Sequence, residues 1–496
     1  MATIVAVRLY LRQMFTRLTP ERGKMQVASG AHCYYSVEAP SLLAMPIRPI
    51  SRLCGSLISL FVLWLGLALP AHAQEVTVES AFADAPFEKW KTEGPKTQIP
   101  WQVHMTADKL SIHQRLIANI QVQVPGPELL KRSHDEQIIL LVQVSNGEGV
   151  SSRDFGLLEL DNLKPETKHS DLEFSWQAFA VPGQYEVSVA LWDKKSGEHN
   201  FMHRLFHVDA YKNDPMPGMW RGLDAFEFWG TKRDGPEFIF HSDMEGQLFL
   251  PLTTKRPVQL EVLMDLTPSA AIFRGSYGYY NDYVSGAVPT FKVFSQIKVT
   301  NGSESLAALD LVQRRIPFEQ SDGKELDWQV LRKALLPDNG PGVVSVKDLE
   351  NRKQSPVFLR DEIVRRLKLS PTAEGKQGEK PLRVFVIIGS PMRTYDFPAL
   401  PAIETGNEED CIIYYLQVEL FEQEQQEQQP ARYRGFDHNR GFDHRELGHS
   451  ERHPFSGNVG NVEKMLKPLK MHTFQVWTPD DARHALAKVM EDIGKL

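Results

Sequence analysis

The chain has 496 residues, of which 42% are apolar and 24% charged, and its formal net charge is −7. This is the composition of an ordinary globular protein with room for two or three domains. The acidic balance argues against nucleic acid and against anionic lipid as partners.

The first 73 residues are predicted to be an export signal and not part of the folded protein. Met45–Arg52 carries two arginines, Leu53–Leu69 is an almost unbroken apolar run, and Ala71-His72-Ala73 provides a small-x-small cleavage site. This order is typical of a secretory signal peptide, here spanning residues 45–73 and cleaved after Ala73. We interpret residues 1–44 as an extension that results from a mis-assigned start codon, with Met45 as the true first residue. Because the apolar run is long, an uncleaved anchor is the alternative.

Export predicts a periplasmic or extracellular protein. Residues 1–73 hold seven of the 56 basic and two of the 63 acidic residues, so the remainder has 49 against 61 and a net charge of −12. Cys411 is the one cysteine left, which excludes an intramolecular disulfide and a thiolate metal site in the exported chain.

Short alternating segments predict a β-rich domain over residues 100–209, after a polar linker at 74–99. In Tyr185–Trp192, alternate residues are apolar, as in a half-buried strand, and Lys194–Glu198 has the composition of a hairpin turn. About seven such strands without a long helical pattern predict an immunoglobulin-like (Ig-like) antiparallel β-sandwich.

Residues 210–256 form a connector rich in aromatic residues, proline and glycine. Met219-Trp220, Phe226–Trp229 and Phe238–Phe240 show no clear period, which favours packing across a domain junction. Carbohydrate-binding aromatics are the alternative.

From residue 257 to 496, apolar strands alternate with helical patterns, which predicts an α/β domain with a doubly wound, mostly parallel sheet. The predicted strands and helices are Val258–Met264, Leu306–Val312, Trp328–Leu335, Val346–Leu369, Leu382–Ile388, Cys411–Val418, Asn461–Leu469, Thr473–Trp477 and Asp480–Ile493. Residues 422–458 are rich in Gln, Glu, Arg and His and poor in aliphatic residues, so they are predicted to be a disordered insertion.

Three oxygen-bearing side chains follow the first of these strands at alternate positions: Asp265, Thr267 and Ser269. A buried parallel strand presents functional groups at its carboxyl end, where ligands of open α/β sheets bind. One carboxylate and two hydroxyls are suitable ligands for a hard cation such as Mg²⁺.

These residues carry a resemblance to a known family. Asp265-x-Thr267-x-Ser269, the strand Leu382–Ile388, the strand Cys411–Val418 and the closing strand and helix together resemble a von Willebrand factor type A (VWA) domain, specifically the divergent VWFA-related domains of exported bacterial proteins. The resemblance covers about residues 257–496. It implies a doubly wound fold and a metal-ion-dependent adhesion site for Mg²⁺.

The chain departs from the family pattern at two of the three metal-binding loops. Asp265 and Ser269 match, and Thr267 replaces a serine, but Gly389-Ser390-Pro391 stands where the family has Asp-Gly, and the second-loop threonine is not identified. Two interpretations stay open: an incomplete Mg²⁺ site, or a degenerate site in which Asp265 caps the following turn. The departures favour the second.

Two further patterns have weaker interpretations. His438, His444, His449 and His453 recur in the inserted segment and are suited to a transition metal, but a solvated polar loop is favoured because ordering it costs entropy. Ser390 follows a buried strand as a nucleophile would, yet Pro391 removes the backbone N–H that an oxyanion hole needs.

The sequence thus predicts an exported, non-enzymatic protein that binds another protein through a VWA-like domain. A structural scaffold subunit of an envelope complex is the alternative, followed by an enzyme with a cleft at the domain junction.

Overall fold

In the described part of the chain, fourteen of sixteen strands belong to three larger sheets. The computed structural model describes residues 77–132, 137–160, 163, 165–228, 246–266, 279–321, 325–335, 354–369, 380–389, 400–403, 411–418 and 460–496, within one compact unit, Glu75–Leu496.

The chain begins with two short helices, α1 (Val78–Asp84) and α2 (Phe87–Glu93). The composition of residues 74–99 predicts a polar linker, and the structure corrects this for the described part. Phe82, Phe87 and Trp90 are buried against the outer face of a β-sheet. The apolar residues of this segment lie three to five positions apart, so a single face of each helix is apolar.

The β-sandwich consists of two antiparallel four-stranded sheets around one apolar core. Its strands are β1 (Gln102–Leu110), β2 (Leu116–Pro125), β3 (Gln137–Asn146), β4 (Ser151–Glu159), β5 (Asp171–Ala180), β6 (Gly183–Asp193), β7 (His199–Val208) and β8 (Phe226–Phe228). The strand orders are β1-β2-β5-β8 and β4-β3-β6-β7. A five-residue helix, α3 (Gly126–Leu130), follows β2. The predicted hairpin between β6 and β7 is confirmed.

The α/β part is built on a six-stranded sheet in the order β13-β12-β10-β14-β15-β16. Its strands are β10 (Val258–Asp265), β12 (Gly302–Asp310), β13 (Arg315–Gln320), β14 (Leu382–Gly389), β15 (Cys411–Val418) and β16 (Met471–Val476). All neighbours are parallel except β12 and β13. A small parallel pair, β9 (Leu250–Leu252) and β11 (Ile297–Val299), lies apart from it.

Helices cover both faces of this sheet. The helices are α4 (Tyr279–Ser295), α5 (Trp328–Leu335), α6 (Ser355–Lys368), α7 (Gly460–Leu466) and α8 (Pro479–Lys495). Residues of α4, α5 and α8 share a core with one face, here called the α4–α8 face, and residues of α6 and α7 share a core with the other, the α6–α7 face. The strands are therefore apolar on both sides, which is why they appear in the sequence as unbroken apolar runs.

Glycine is required where β10 and β12 begin. A Cβ on Gly302 would lie 1.8 Å from the carbonyl oxygen of Val258, and Gly302 has a φ of +154°. Any side chain at this position would push the two central strands apart.

The connector and the loop between β1 and β2 pack between the sandwich and the α/β part. Trp220 packs against the cores of both parts, and Ile112, in the loop between β1 and β2, is fully buried in the α/β core. Phe226 and Phe228 belong to β8 and lie in the sandwich core. Of the described connector aromatics, Trp220 thus packs across the junction as predicted, whereas the prediction is wrong for Phe226 and Phe228, because they pair as a strand with β5 and complete the sandwich. Trp229 and Phe238–Phe240 lie outside the described residues.

Several predictions concern segments that the structure does not describe. The signal segment 45–73, the extension 1–44 and the insertion 422–458 lie outside the described residues. No described helix is both long and apolar enough to span a membrane.

Candidate functional site

The candidate site is the rim formed by the carboxyl ends of the parallel strands. The central strand β10 comes first in the chain, and the chain then adds strands to one side of it (β12, β13) and afterwards to the other (β14, β15, β16). The strand order therefore reverses between β10 and β14. In open α/β sheets, the crevice at this switch point is where ligands bind.

Asp265 is the last residue of β10 and lies at this switch point. Its side chain is 1% exposed. Alternation along β10 places it on the same side as Leu263, which packs in the core of the α6–α7 face. The predicted position of Asp265 at the carboxyl end of a buried strand is confirmed. Its predicted companions, Thr267 and Ser269, lie outside the described residues.

Gly389 lies directly beside Asp265 at the end of β14. A Cβ on residue 389 would come within 2.7 Å of Asp265 Cβ and 3.1 Å of the Asp265 carbonyl oxygen. Such contacts are shorter than two carbon atoms tolerate, so the close approach of the strands requires glycine. In the VWA pattern this position carries the second aspartate. The backbone here leaves no room for that carboxylate without a local shift.

The neighbouring strand β12 also ends in an acid, Asp310, which is 1% exposed. Leu309 pairs with Asp265, and Asp310 is the next residue along β12. Because side chains alternate along a strand, Asp310 lies on the opposite face of the sheet from Asp265. Burial raises the pKa of Asp310, and the backbone N–H of Gln313 and the charge of Arg315 oppose this rise. The two rim acids therefore do not converge on one ligand.

The residues on the other side of Gly389 are amides and not acids. Gly389 pairs with Gln417 of β15, and Gln417 pairs with Gln475 of β16, so Asp265, Gly389, Gln417 and Gln475 form one row across four strands. The amide Nε2 of Gln475 donates a hydrogen bond to Gln417 Oε1. Gln417 is 1% exposed, and its Nε2 has no hydrogen-bond partner among the described residues.

This donor set does not fit a Mg²⁺ site of the adhesion type. Mg²⁺ requires near-octahedral oxygen ligands, usually including more than one carboxylate or phosphate. The described rim offers one carboxylate, Asp265, on the relevant face, beside a glycine and two amides. In the described part of the chain, no group of three or more His, Cys, Asp or Glu side chains is placed to hold a metal. The four histidines at 438–453 and Ser390 lie outside the described residues.

A second group of buried charges lies in the middle of the sheet. Arg366 of α6 donates to Glu261 at 3.0 Å, to Glu362 at 2.6 Å and to Glu319 at 2.7 Å. Burial is the largest influence on Glu261 and raises its pKa, although Arg366 opposes this. Because each charge has a partner and Glu261 lies mid-strand, this network fastens α6 to the sheet and is not part of the rim.

A cavity of about 480 Å³ opens beside the junction, between the connector and α8. Its lining is dominated by prolines, methionines and Phe249, and Glu491 is its one titratable lining residue. Lys495 pairs with Glu491 and lowers the pKa of that carboxyl. The cavity thus lacks the converging acids and histidines of an enzyme cleft.

The row at the rim could have been found only in part from the sequence. Asp265 ends an apolar run and is conspicuous, and Gln417 similarly interrupts the apolar run Cys411–Leu416. What the sequence did not provide is the strand order, which decides that Asp265, Gly389 and Gln417 are neighbours.

Comparisons with known proteins do not name a family. No family model matches the chain. No curated protein matches it either. Among solved structures, the chain is similar to the putative ApaA protein from Bordetella pertussis, with 15% identity and a TM-score of 0.16 over 24% of this chain and 100% of that one. It is also similar to a glycosyl hydrolase family 2 member from Bacteroides cellulosilyticus, with 8% identity and a TM-score of 0.16 over 64% of this chain and 37% of that one. Similarity at this level carries no argument about fold or function.

Proposed function

We propose that the protein is an exported, non-enzymatic binding protein, in which a VWA-like α/β domain presents its sheet rim to another protein. One observation carries the proposal. The sheet places strands one to six in the order 3-2-1-4-5-6, and the acid predicted from the sequence ends the first, central strand at the switch point.

The Ig-like assignment is supported by a tyrosine near the start of β6. Tyr185 donates its hydroxyl hydrogen toward two carbonyl oxygens, those of Val181 and Ala225, each 2.7 Å away. A hydrogen bond from such a tyrosine to a backbone carbonyl a few residues upstream is a hallmark of immunoglobulin-like sandwiches. The two sheet orders, which separate strands one, two and five from strands three, four, six and seven, agree with a Greek-key arrangement.

Binding at this rim is proposed to be independent of metal. Gly389 replaces the second carboxylate, and the row continues with Gln417 and Gln475. A partner would then contact the exposed amide of Gln475, and the buried Asp265 and Gln417 would support this rim from beneath, with no bridging cation. In a protein of net acidic charge, the complementary group on the partner is a hydrogen-bond donor or a basic side chain.

The test compares two rim acids on adjacent strands. Asp265→Asn should lower the affinity for a partner captured from the envelope fraction, while Asp310→Asn, on the opposite face of the sheet, should leave it unchanged. Chelation with EDTA should not alter either result. Equal binding by Asp265→Asn and the native chain would overturn the proposal. Loss of binding with EDTA, together with Mg²⁺ binding that Asp265→Asn abolishes, would restore the adhesion-site interpretation.

A structural scaffold is the second candidate, and the rigid junction favours it. The space between the two parts is filled by the buried side chains of Ile112 and Arg483 and by the half-buried Trp220, as a spacer of fixed length requires. In that case Asp265→Asn would leave assembly of the complex intact, whereas substitutions that loosen the junction would disrupt it.

A further inference from the structure

The edge strand β16 lacks the features that protect the other described edges from pairing. Strands at sheet edges expose unpaired backbone groups, and natural proteins guard them with charges, proline or short length. β13, the opposite edge of the same sheet, contains Arg315, Pro317 and Glu319. β16 reads Met-His-Thr-Phe-Gln-Val over Met471–Val476, with neither a charged residue nor a proline.

The remaining described edges are all guarded. β1, β4 and β7 each contain at least one Lys, Arg, Asp or Glu. β8, β9 and β11 are three residues long. The start of β7 is also covered, because Lys96 pairs with Phe201. Among the described strands, β16 is thus the one edge of ordinary length that is open to pairing with another strand.

β16 is accessible from Met471 to Gln475, and only its last residue, Val476, is buried. His472 and Gln475 are exposed, and Met471, Thr473 and Phe474 are half-buried. On the α4–α8 face, His472 and Phe474 lie against Tyr414, with ring centroids 5.4 Å and 6.3 Å apart. The aromatic side chains of this face therefore extend from β15 to the edge strand β16.

The sequence of β16 is complementary to itself in the antiparallel sense. Residues opposite each other across a strand pair lie on the same face, so a twofold axis can pass through Phe474. Phe474 then faces Phe474 of the second copy, His472 faces Val476, and Thr473 faces Gln475. Aromatic pairs directly across an antiparallel pair are stabilising, and this register opposes no like charges.

The charges that flank β16 select the same arrangement. Lys467 and Lys470 precede the strand, and Asp480 and Asp481 follow it in the first turn of α8. Antiparallel pairing brings the lysines of one copy toward the acids of the other, whereas parallel pairing would bring like charges together.

We propose that β16 is a dimerisation edge, where a second copy of this chain pairs antiparallel and extends the six-stranded sheet across a twofold axis. This goes beyond the proposed function, because it uses the side of the sheet and not its rim.

The test is sedimentation velocity of the full chain over a micromolar concentration series. The native chain should show a monomer–dimer equilibrium. Phe474→Lys should raise the dimer dissociation constant by about tenfold or more, since it sets two ammonium groups against each other on the axis. Phe474→Glu should do the same. An equimolar mixture of the two variants should recover the dimer, which a merely destabilised fold would not do.

Leu205→Lys is the matched control, because Leu205 is 66% exposed on the edge strand β7 of the sandwich. It should leave dimerisation unchanged. A second measurement needs no substitution: hydrogen exchange of the β16 amides should slow as the concentration of the native chain rises. A native chain that stays monomeric, or a dimer that survives Phe474→Lys and shows no concentration-dependent protection of β16, would overturn the proposal.

Discussion

Arg483 of α8 and Asp214 of the connector form a buried bidentate ion pair between the two parts of the molecule. Arg483 Nε and Nη2 lie 3.0 Å and 2.6 Å from Asp214 Oδ1 and Oδ2, and the Arg483 side chain is 0% exposed. The guanidinium also lies over the Trp220 ring, 4.8 Å from its centroid. The planar fork of arginine suits both contacts at once, which lysine would not achieve.

Asp214→Asn is expected to destabilise the fold by about 3–5 kcal/mol, because it leaves the charge of Arg483 buried without a counter-charge. The measurement is urea unfolding. Lys488→Ala, which removes an exposed pair with Asp492 on the same helix, should cost less than about 1 kcal/mol. Equal effects of the two variants would contradict a structural role for the junction pair.

Tyr185→Phe is expected to cost about 1–2 kcal/mol through the loss of its hydrogen bonds to Val181 and Ala225. Burial raises the pKa of Tyr185 from 10.0 to about 12. Since the folded pKa is raised, the stability linked to the neutral hydroxyl is fully present below pH 10 and is lost as pH rises through about 12.

The free energy of unfolding, measured for the native chain and for Tyr185→Phe across the alkaline pH range, checks this prediction. Tyr414→Phe is the matched control, because burial raises the pKa of Tyr414 to about 12 as well, but its hydroxyl makes no hydrogen bond to the described residues. A loss in Tyr414→Phe as large as in Tyr185→Phe would show that burial, and not the hydrogen bonds, explains the effect.

Asp193→Asn is expected to lower stability at neutral pH by about 1–3 kcal/mol. Asp193 Oδ1 accepts hydrogen bonds from the backbone N–H groups of Lys195 (3.0 Å) and Ser196 (3.1 Å), and Oδ2 accepts one from Arg132. Burial tends to raise the pKa of Asp193, but the hydrogen bonds outweigh it, and the pKa lies below its ordinary value of 3.8.

A lowered pKa sets the sign of the pH dependence. The contribution of Asp193 is present above pH 3.8 and is lost as pH falls below it, so the gap between the native chain and Asp193→Asn should close in acid. Unfolding by urea at neutral and acidic pH measures the gap. Glu198→Gln, which alters the more exposed partner of Arg132, should have a smaller effect at both pH values.

Gly389→Ala is expected to destabilise the sheet by about 1–3 kcal/mol, because its Cβ would collide with Asp265 Cβ. Adding Asp265→Gly should recover part of the loss. Gly147→Ala is the control, since nothing lies within 4 Å of a Cβ at that position. The measurement is the urea concentration at the midpoint of unfolding. If both alanine variants have the same midpoint as the native chain, the proposed close approach at the switch point is wrong.

Most elements of the α/β part could be predicted because the sequence pattern and the final environment agree. Trp328–Leu335 and Cys411–Val418 have the bounds that the pattern predicted, and Leu382–Ile388 gains only Gly389. A buried strand is apolar at every position and bounded by polar residues, so its sequence shows where it begins and ends.

The helix α4 was missed because its sequence argues against a helix. Tyr279–Ser295 contains Gly286 and Pro289, both unfavourable in a helix interior. Ala287, Val288 and Phe291 nevertheless pack against the sheet, and this burial outweighs the local preference. The two helices α1 and α2 were missed because each is seven residues long and gains its stability from the sheet beneath it.

The sequence by itself determined the alternation of strands and helices and the position of Asp265 at the end of a buried strand, because both depend on short-range patterns. Only the tertiary structure decided that Gly389 and Gln417 complete its row and that Arg483 reaches Asp214. Those neighbours lie on separate strands or in separate parts of the chain, and backbone pairing and core packing, not local propensity, bring them together.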